Sequence, residues 1–415
     1  MKKICEYNKC TGCASCVNAC PKQCISLKID KYGETHPDVD SLACINCGLC
    51  VKSCPNNVEL VFNEPKRCYA SWITDKATRK LCASGGIGTI LAEYVIIYKK
   101  GVVFGTSYDK DLMPITTYSE KLENLEQFKG SKYVQSYIGP NVFKNVKTFL
   151  KNGRYVLYIG TPCQIAGLKT YLRKDYDNLL TVDLICHGVS PSQYLAEEVD
   201  EVCKKHKINK TSLVSIRFRG NDSTKLPKWR KVLGQGESNN FAFTLWKNKN
   251  NMLERCFWQS KTQNYYLAGF LMGVTLRENC YSCNYARPER VSDITLGDFI
   301  GLGKIVPFPE KKEGHVSVVF INTEKANLFY SEVSSAMKEL RNVERDYTER
   351  LEYTPSLLHP YERHELNIKF RELYPDHGFI YASRKAMHKE LKTMHKKERI
   401  EYLKSKITRL INQIK

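Results

Sequence analysis

Eight cysteines within the first 54 residues form two copies of one spacing, C-x2-C-x2-C-x3-C-P. Three thiolates on a tight loop can face three corners of one four-iron cubane, while the fourth, opening a short helix, reaches the other cubane. Proline after the fourth cysteine suits the first helical turn, where a missing N–H costs nothing. Zinc knuckles are the alternative, but zinc takes its four ligands in two pairs rather than in an interleaved run. The spacing therefore predicts two 4Fe–4S clusters, held by a first cysteine group (Cys10, Cys13, Cys16 and Cys54) and a second cysteine group (Cys20, Cys44, Cys47 and Cys50).

Four more cysteines, which we call the third cysteine group, stand where another site can form. Cys163 follows a predicted strand and starts a predicted helix, and Cys186 follows the next predicted strand. Since neighbouring parallel strands end at the same edge of a sheet, both thiols should face one crevice. Cys280 and Cys283 form a C-x2-C pair that would complete four ligands. A redox-active or zinc-binding pair and unrelated buried thiols are the alternatives, so spacing alone leaves this site open.

The composition excludes several classes of protein. The chain has 415 residues, of which 42% are hydrophobic and 26% charged, as in a globular protein of two or three domains. No apolar run approaches the roughly 20 residues of a membrane helix, and no apolar segment follows Lys2 and Lys3 as in a secretory signal. A cytoplasmic location is expected, where 18 cysteines indicate metal ligation rather than disulfides.

The net charge is strongly positive, at +20. Three clusters, each carrying about −2 with its thiolates, would lower it to about +14, so acidic partners remain favoured. Nucleic acid is not expected as a partner, because no stretch interleaves basic residues with aromatics as such grooves do.

The elements that position these cysteines fall into three parts. Residues 4–30 and 40–62 repeat one unit, a cysteine loop, a short helix and a strand at 25–29 or 58–62. Beyond residue 65 strands and helices alternate, and a strand–helix–strand unit around Cys163 predicts parallel pairing. The predicted fold class is an α+β ferredoxin-like module (1–64), a mixed α/β body (65–330) and a helical C-terminal extension (331–415).

Two further features suit anionic ligands. Ser84-Gly85-Gly86 is a glycine-rich turn into a helix, which either binds a phosphate or simply starts the helix. Arg217 and Arg219 share one face of a predicted strand, and with Lys228 and Arg230 they would hold an anionic substrate. A solvated basic strand is an equally good interpretation of the second feature.

Several motifs together are specific. Ser84-Gly-Gly, Gly160-Thr-Pro-Cys-Gln-Ile-Ala-Gly-Leu, Asp183-Leu-Ile-Cys-His-Gly-Val-Ser-Pro191, and Cys280-x2-Cys283 leading to Gly-Asp298-Phe resemble the coenzyme-deazaflavin hydrogenase/dehydrogenase beta-subunit family. The resemblance covers roughly residues 1–330, and the cysteine-rich module in front matches bacterial members.

The resemblance implies FAD and a third 4Fe–4S cluster held by Cys163, Cys186, Cys280 and Cys283. It implies that the body binds the flavin through Ser84, Gly85, Gly86 and the 130–134 stretch, with Lys132 on a phosphate or the flavin ring. The resemblance also makes Asp298 a candidate cofactor contact within a Gly-Asp-aromatic motif, although Phe299 and Ile300 replace the family's usual aromatic pair. His187 either donates to a cluster sulfur or caps a turn.

The activity implied is that of an iron–sulfur flavoprotein oxidoreductase. Electrons would pass from an external donor, such as ferredoxin or a reductase subunit, through the clusters to FAD and a two-electron acceptor. That acceptor is expected to be an acidic small molecule, either the deazaflavin coenzyme or an intermediate of polysaccharide biosynthesis. The alternative is an electron-transfer subunit that has no substrate of its own and feeds a partner enzyme.

The end of the chain is basic and amphipathic. Residues 384–415 contain 11 Lys and Arg against three Glu, and Ile400, Leu403 and Ile407 recur at helical spacing. Packing on the body, peripheral contact with an anionic membrane and pairing with a partner helix are the three interpretations.

Overall fold

Three sheets organise the described part of this computed structural model, which comprises residues 3–219, 241–250, 252–308, 310 and 314–414. The strands are β1 (Ile25–Ile29), β2 (Thr35–Val39), β3 (Arg67–Ile73), β4 (Val102–Tyr108), β5 (Pro114–Ser119), β6 (Val156–Gly160), β7 (Leu179–Leu184), β8 (Leu213–Arg217), β9 (Ala242–Lys249), β10 (Met252–Ser260), β11 (Ile294–Asp298), β12 (Ser317–Ile321) and β13 (Leu340–Arg345). The helices are α1 (Ser15–Ala19), α2 (Leu49–Lys52), α3 (Lys76–Leu81), α4 (Ile87–Lys99), α5 (Val142–Lys151), α6 (Pro162–Leu172), α7 (Ser192–His206), α8 (Tyr265–Leu271), α9 (Glu324–Ala336), α10 (Thr348–Leu351) and α11 (Glu365–Ile414).

The large sheet has the strand order β13-β3-β12-β11-β7-β6-β4-β5. Its central pairs β4–β6, β6–β7 and β7–β11 are parallel, which confirms the parallel unit predicted around Cys163. The carboxyl ends of these four strands therefore meet at one edge, where open α/β sheets bind ligands. A second, antiparallel sheet contains β8, β9 and β10, and β1 pairs with β2 as a hairpin.

Alternating side chains bury both faces of the large sheet. On β6, Val156 and Tyr158 pack in the same core as the apolar residues of α5 and α6. Leu157, between them, packs with those of α4 and α9 on the opposite face. All three side chains are fully buried, and each such burial stabilises the fold by about 2 kcal/mol. Ile4 and Val17 of the N-terminal module join the α5–α6 core, so the module and the body share a core.

The internal repeat of the N-terminal module is visible in its backbone. Gly12 and Ala14 have left-handed φ values, and so do their counterparts Asn46 and Gly48, 34 residues later. The helices α1 and α2 begin at the same offset. The strand predicted at residues 58–62 is wrong, because β1 pairs with β2 instead and Asn63 bonds to the backbone of Arg290 in the body.

The C-terminal region is helical, as predicted, but its beginning belongs to the body. The predicted boundary at residue 330 precedes β13, which pairs with β3 and extends the large sheet. Within α11 the chain bends at Gly378, whose φ of 71° is not helical. Phe370 and Met387 are buried in a core shared with α7 and α8, whereas Ile400 is exposed. No described helix combines the length and apolarity needed to cross a membrane.

Asp293 ties together the strands that carry the site. It is 3% exposed, and its Oδ2 accepts hydrogen bonds from the backbone N–H and hydroxyl of Thr181 on β7, at 2.8 and 2.6 Å. Its Oδ1 accepts from the hydroxyl of Thr323 at 2.9 Å and lies 3.4 Å from Lys325. Although burial opposes ionisation, Lys325 and Lys169 hold the pKa of Asp293 below its usual value. The carboxylate thus fixes the start of β11 against β7 and α9.

We expect Asp293→Ala to lower the free energy of unfolding by about 3 kcal/mol, because it leaves buried donors without an acceptor. Urea denaturation followed by circular dichroism measures the change. The exposed Asp175→Ala is the matched control and should stay within about 0.5 kcal/mol of the parent. Equal stability of the two variants would contradict the assigned role.

Candidate functional site

The first cysteine group lines one small cavity in the N-terminal module. Cys10, Cys13, Cys16 and Cys54 all border this space of about 20 Å³, and Cys5 borders it too. Hydrogen bonding with Cys5 and then burial raise the pKa of Cys10 to about 12, and burial raises that of Cys13 to about 11. A metal cluster must displace these protons, so the donor set fits a group that supplies strong positive charge.

The second cysteine group lies nearer the surface. Cys47 is exposed and Cys44 and Cys50 are partly buried. Burial and then the charges of Cys20 and Cys47 raise the pKa of Cys50, which places these three thiols within electrostatic reach of one another. Cys24, which the sequence pattern leaves out, has its Sγ 3.4 Å from that of Cys20.

The four thiols of the third cysteine group come from three segments and lie within electrostatic reach of one another. Cys163 is the second residue of α6, and Cys186 follows β7. Cys280 lies in a short 3-10 helix (Glu278–Ser282), and Cys283 follows it directly. Burial raises the pKa of all four thiols, to about 12 for Cys186, and the charges of neighbouring thiols add to the effect in all but Cys283. Among the described residues, no three His, Cys, Asp or Glu side chains are grouped as a single metal ion requires. A four-iron cubane is larger than one ion and takes its ligands further apart.

Arg290 holds two segments of the third cysteine group together, and the sequence patterns did not single it out. Its guanidinium is 2% exposed and donates to Asp183 Oδ2 at 3.0 Å and to the carbonyl of Leu184 at 3.3 Å. It also donates to the carbonyls of Tyr285 and Arg287, at 3.3 and 3.1 Å. The turn after Cys283 is therefore fixed against the end of β7, just before Cys186.

A second buried arginine, Arg277, joins the first cysteine group to the body. It donates to the carbonyls of Cys10 and Thr35 at 3.1 and 3.2 Å, and to Gln135 Oε1 at 2.6 Å. Gln135 in turn donates to the carbonyl of Thr11 at 3.3 Å. Because Arg277 lies three residues before Cys280, one side chain orients the loops of two cysteine groups.

The first and third cysteine groups meet at α6. A Cβ on Gly167 would lie 2.8 Å from Cys13 Sγ, so the thiol packs directly on the helix backbone. Gly167 follows Cys163 by four residues, which is about 6 Å along a helix. The pKa of Cys163, raised mainly by burial, also responds to the charge of Cys13. The two groups are thus neighbours.

A cavity of about 380 Å³ opens at the carboxyl edge of the parallel strands. This volume lies within the range of small-molecule and cofactor sites. Ser84, Gly86, Lys132 and Asp298 line it, as expected of candidate flavin contacts. Cys163 of the third cysteine group and Thr11 of the first cysteine loop line it as well.

Gly85 plays a different part from its neighbours. It does not line the cavity; its N–H donates to Ser317 Oγ at 2.9 Å, and a side chain there would collide with the carbonyl of Ser71. Gly86 adopts a left-handed φ of 90° as the residue before α4. The turn thus needs glycine for close backbone packing, and it directs the N-terminal end of α4 to the cavity wall.

The charged side chains at the cavity wall differ in whether they have a partner of opposite charge. Burial, and then the charge of Arg217, lower the pKa of Lys132 to about 7, and its Nζ donates to the carbonyl of Lys129 at 3.2 Å. Asp298 is paired with Arg219, whose guanidinium also contacts the ring of His315. Arg219 is therefore already neutralised, unlike the free anion holder that the sequence suggested.

The remaining candidates are placed as follows. His187 Nε2 bonds to the carbonyl of Phe270 at 2.8 Å rather than to a sulfur, in line with its structural interpretation. Phe299 is buried in a core cluster and Ile300 is exposed. Lys228 and Arg230 lie outside the described residues.

Two known protein families match parts of the chain. Residues 153–346 match the family that comprises the C-terminal region of the beta subunit of coenzyme F420 hydrogenase/dehydrogenase, and residues 9–58 match the 4Fe–4S dicluster domain. Among solved structures, a chain of the F420-reducing NiFe hydrogenase complex from Methanosarcina barkeri is 17% identical, covering 68% of this chain and 82% of that one, with a TM-score of 0.42. That likeness is too distant to support an argument about function. No curated protein matches the chain.

Both matches fall where the geometry places the cysteine groups. The dicluster match contains all eight cysteines of the first two groups, and the beta-subunit match contains all four of the third. Residues 153–346 are therefore similar to the C-terminal region of the coenzyme F420 hydrogenase/dehydrogenase beta subunit, and a 4Fe–4S dicluster domain precedes them at residues 9–58.

Proposed function

We propose that this iron–sulfur electron-transfer protein is a flavin-dependent oxidoreductase that carries a third 4Fe–4S cluster and FAD. The single observation that carries the proposal is the position of Cys163. This residue belongs to the third cysteine group and also lines the cavity that contains the candidate flavin contacts. A cluster on this cysteine would lie directly beside a ligand in the cavity.

The arrangement of the cysteine groups supports an order of electron transfer. The second group is the most exposed, with Cys47 at the surface, and suits entry of electrons from an external donor such as ferredoxin or a reductase subunit. Cys13 of the first group packs on α6, the helix that carries Cys163. Cys163 of the third group borders the cavity, so a cluster on this group would be the last station before the two-electron chemistry.

FAD, when bound, would accept single electrons from the clusters and transfer them in pairs to an organic acceptor. The protein's own residues hold the ligand and exclude water. Gly86 presents the start of α4 to the cavity, where a helix N-terminus favours an anion. Lys132 adds a positive charge at the wall, and the buried sheet edge forms the floor.

The acceptor is proposed to be an acidic small molecule, the deazaflavin coenzyme or an intermediate of polysaccharide biosynthesis. Residues 65–415 carry the whole excess of positive charge, since the N-terminal 64 residues contain seven lysines and seven acidic residues. A basic body attracts acidic ligands to its cavity.

We expect the anaerobically purified chain to contain about twelve irons and one FAD, since each cluster holds four irons. In Cys163→Ala, about four irons should be lost, because the third cluster loses one of its four ligands. No cysteine outside the three groups contacts Cys163 in the described structure, so none can replace it. Iron, sulfide and flavin analysis per chain measures both.

Cys203→Ala is the matched control, since Cys203 is a buried thiol in an apolar core away from the three groups. It should keep all of its iron. If Cys163→Ala and Cys203→Ala contain equal amounts of iron, the third cluster is not on Cys163. A parent chain that contains eight irons and binds no flavin would refute the proposed function.

The binding of FAD should weaken as pH rises above about 7. With a pKa near 7, Lys132 is positively charged below that pH and neutral above it, so an anionic ligand binds the protonated form more tightly. The apparent affinity should fall by up to about tenfold per pH unit above 7. Flavin fluorescence quenching on the flavin-free chain measures the effect.

Lys132→Arg should remove most of this pH dependence, because guanidinium stays charged throughout the range. Lys151→Met, at the exposed end of α5, is the control and should retain the parent profile. An unchanged pH profile in Lys132→Arg would mean that Lys132 does not contact the flavin's anionic part.

A further inference from the structure

Arg217 is a buried cation whose hydrogen bonds are incomplete. Its side chain is 3% exposed, and Nη2 donates to Glu126 Oε1 at 3.1 Å. Its Nε and Nη1 groups have no hydrogen-bond partner among the described residues. The ring of Trp246 covers the guanidinium at 5.2 Å, but a ring face does not accept in-plane N–H groups. Unpaired donors on a buried charge cost free energy, which a bound anion would recover.

Two other polar side chains, those of Tyr108 and Lys132, lie near this guanidinium. The hydroxyl of Tyr108, at the end of β4, is buried and has no partner among the described residues. Lys132 Nζ lies 5.7 Å from the ring centre of Tyr108. The charge of Arg217 acts on both groups, which places all three side chains in one region. Side chains from three different segments, all capable of donating hydrogen bonds, are therefore neighbours.

The charge around this region is unbalanced. Glu126 pairs with Lys129 at 3.0 Å and with Arg217 at 3.1 Å. In the described contacts this carboxylate thus serves two cations, and Lys132 stands beside them without an acidic partner of its own. The local excess of positive charge favours an anionic ligand.

Gly130 connects this region with the main cavity. Both Gly130 and Lys132 line the cavity. A Cβ on Gly130 would lie 3.7 Å from Cγ of Arg217, so the arginine passes directly behind the cavity wall. Gly130, a left-handed residue without a side chain, thus forms the part of the wall that separates Arg217 from the cavity.

We propose that Arg217, Lys132 and Tyr108 form an oxyanion-binding site at this end of the cavity, for a phosphate or carboxylate group. The existence of this site does not depend on the proposed function. The identity of the anion that occupies it does rest on that function. The anion is either the diphosphate of the bound flavin nucleotide or the acidic group of the two-electron acceptor. Charge-assisted bonds to guanidinium are the strongest of the three contacts.

Titration calorimetry of the flavin-free, cluster-containing chain with inorganic pyrophosphate tests the site. We expect saturable binding to the parent, at least about tenfold weaker binding to Arg217→Met and about threefold weaker binding to Tyr108→Phe. Arg154→Met is the control, since Arg154 pairs with Glu120 at the surface, and it should bind like the parent. Thermal unfolding and iron content show that each variant is folded.

Absence of binding to the parent, or parent-like affinity in both Arg217→Met and Tyr108→Phe, would overturn the proposal. Tyr108→Phe removes one oxygen atom, so it tests the site even if Arg217→Met fails to fold. A titration of the FAD-loaded chain then identifies the source. Loss of pyrophosphate binding there assigns the site to the flavin's diphosphate, and retained binding that depends on Arg217 assigns it to the acceptor.

These results separate the site from the proposed function. A chain that binds no flavin but binds pyrophosphate through Arg217 would refute the flavoprotein proposal and leave the oxyanion site standing. If the chain binds flavin, and both Arg217→Met and Tyr108→Phe bind flavin and pyrophosphate like the parent, the oxyanion site is refuted and the flavoprotein proposal stands.

Discussion

The contact between Cys13 and the backbone of α6 at Gly167 fixes the N-terminal module against the body. Cys13 belongs to the dicluster domain, and α6 carries Cys163 of the third cysteine group one turn away. Any side chain at residue 167 would push the two groups apart. Electron transfer between two clusters requires a short distance between them. The surrounding elements therefore need to keep Cys13 and Cys163 close together. The core that the N-terminal module shares with α5 and α6 provides most of that support.

Two buried arginines fix the cysteine-bearing loops, which have little secondary structure of their own. Arg277 bonds to the loop of Cys10 and lies next to the turn of Cys280. Arg290 fixes the turn after Cys283 to the end of β7. Bound clusters with their thiolates would carry net negative charge, which these buried guanidinium groups would partly offset. The same side chains thus serve geometry and electrostatics.

The parts that followed from the sequence are those with a local signal. The cysteine spacing predicted the first two groups, and the strand–helix–strand unit predicted that Cys163 and Cys186 share one sheet edge. The full third group followed only from the family resemblance. The strand predicted at residues 58–62 failed because its place depends on a distant partner, Arg290. The contacts of Arg290 and the proximity of Arg217 to Tyr108 leave no local pattern in the sequence, because the residues concerned lie many positions apart. The pairing of Arg219 with Asp298 was hidden for the same reason.

The central claim is that the three cysteine groups form one path that ends at a flavin beside Cys163. Rapid-mixing absorbance spectroscopy of the anaerobic, fully loaded chain with a small reductant tests it most directly. The account predicts that iron–sulfur absorbance bleaches first and that flavin absorbance follows, with the second phase slowed strongly when Cys163 is replaced by alanine. Flavin bleaching that is equally fast with and without Cys163, or a loaded chain with no flavin absorbance, would contradict it.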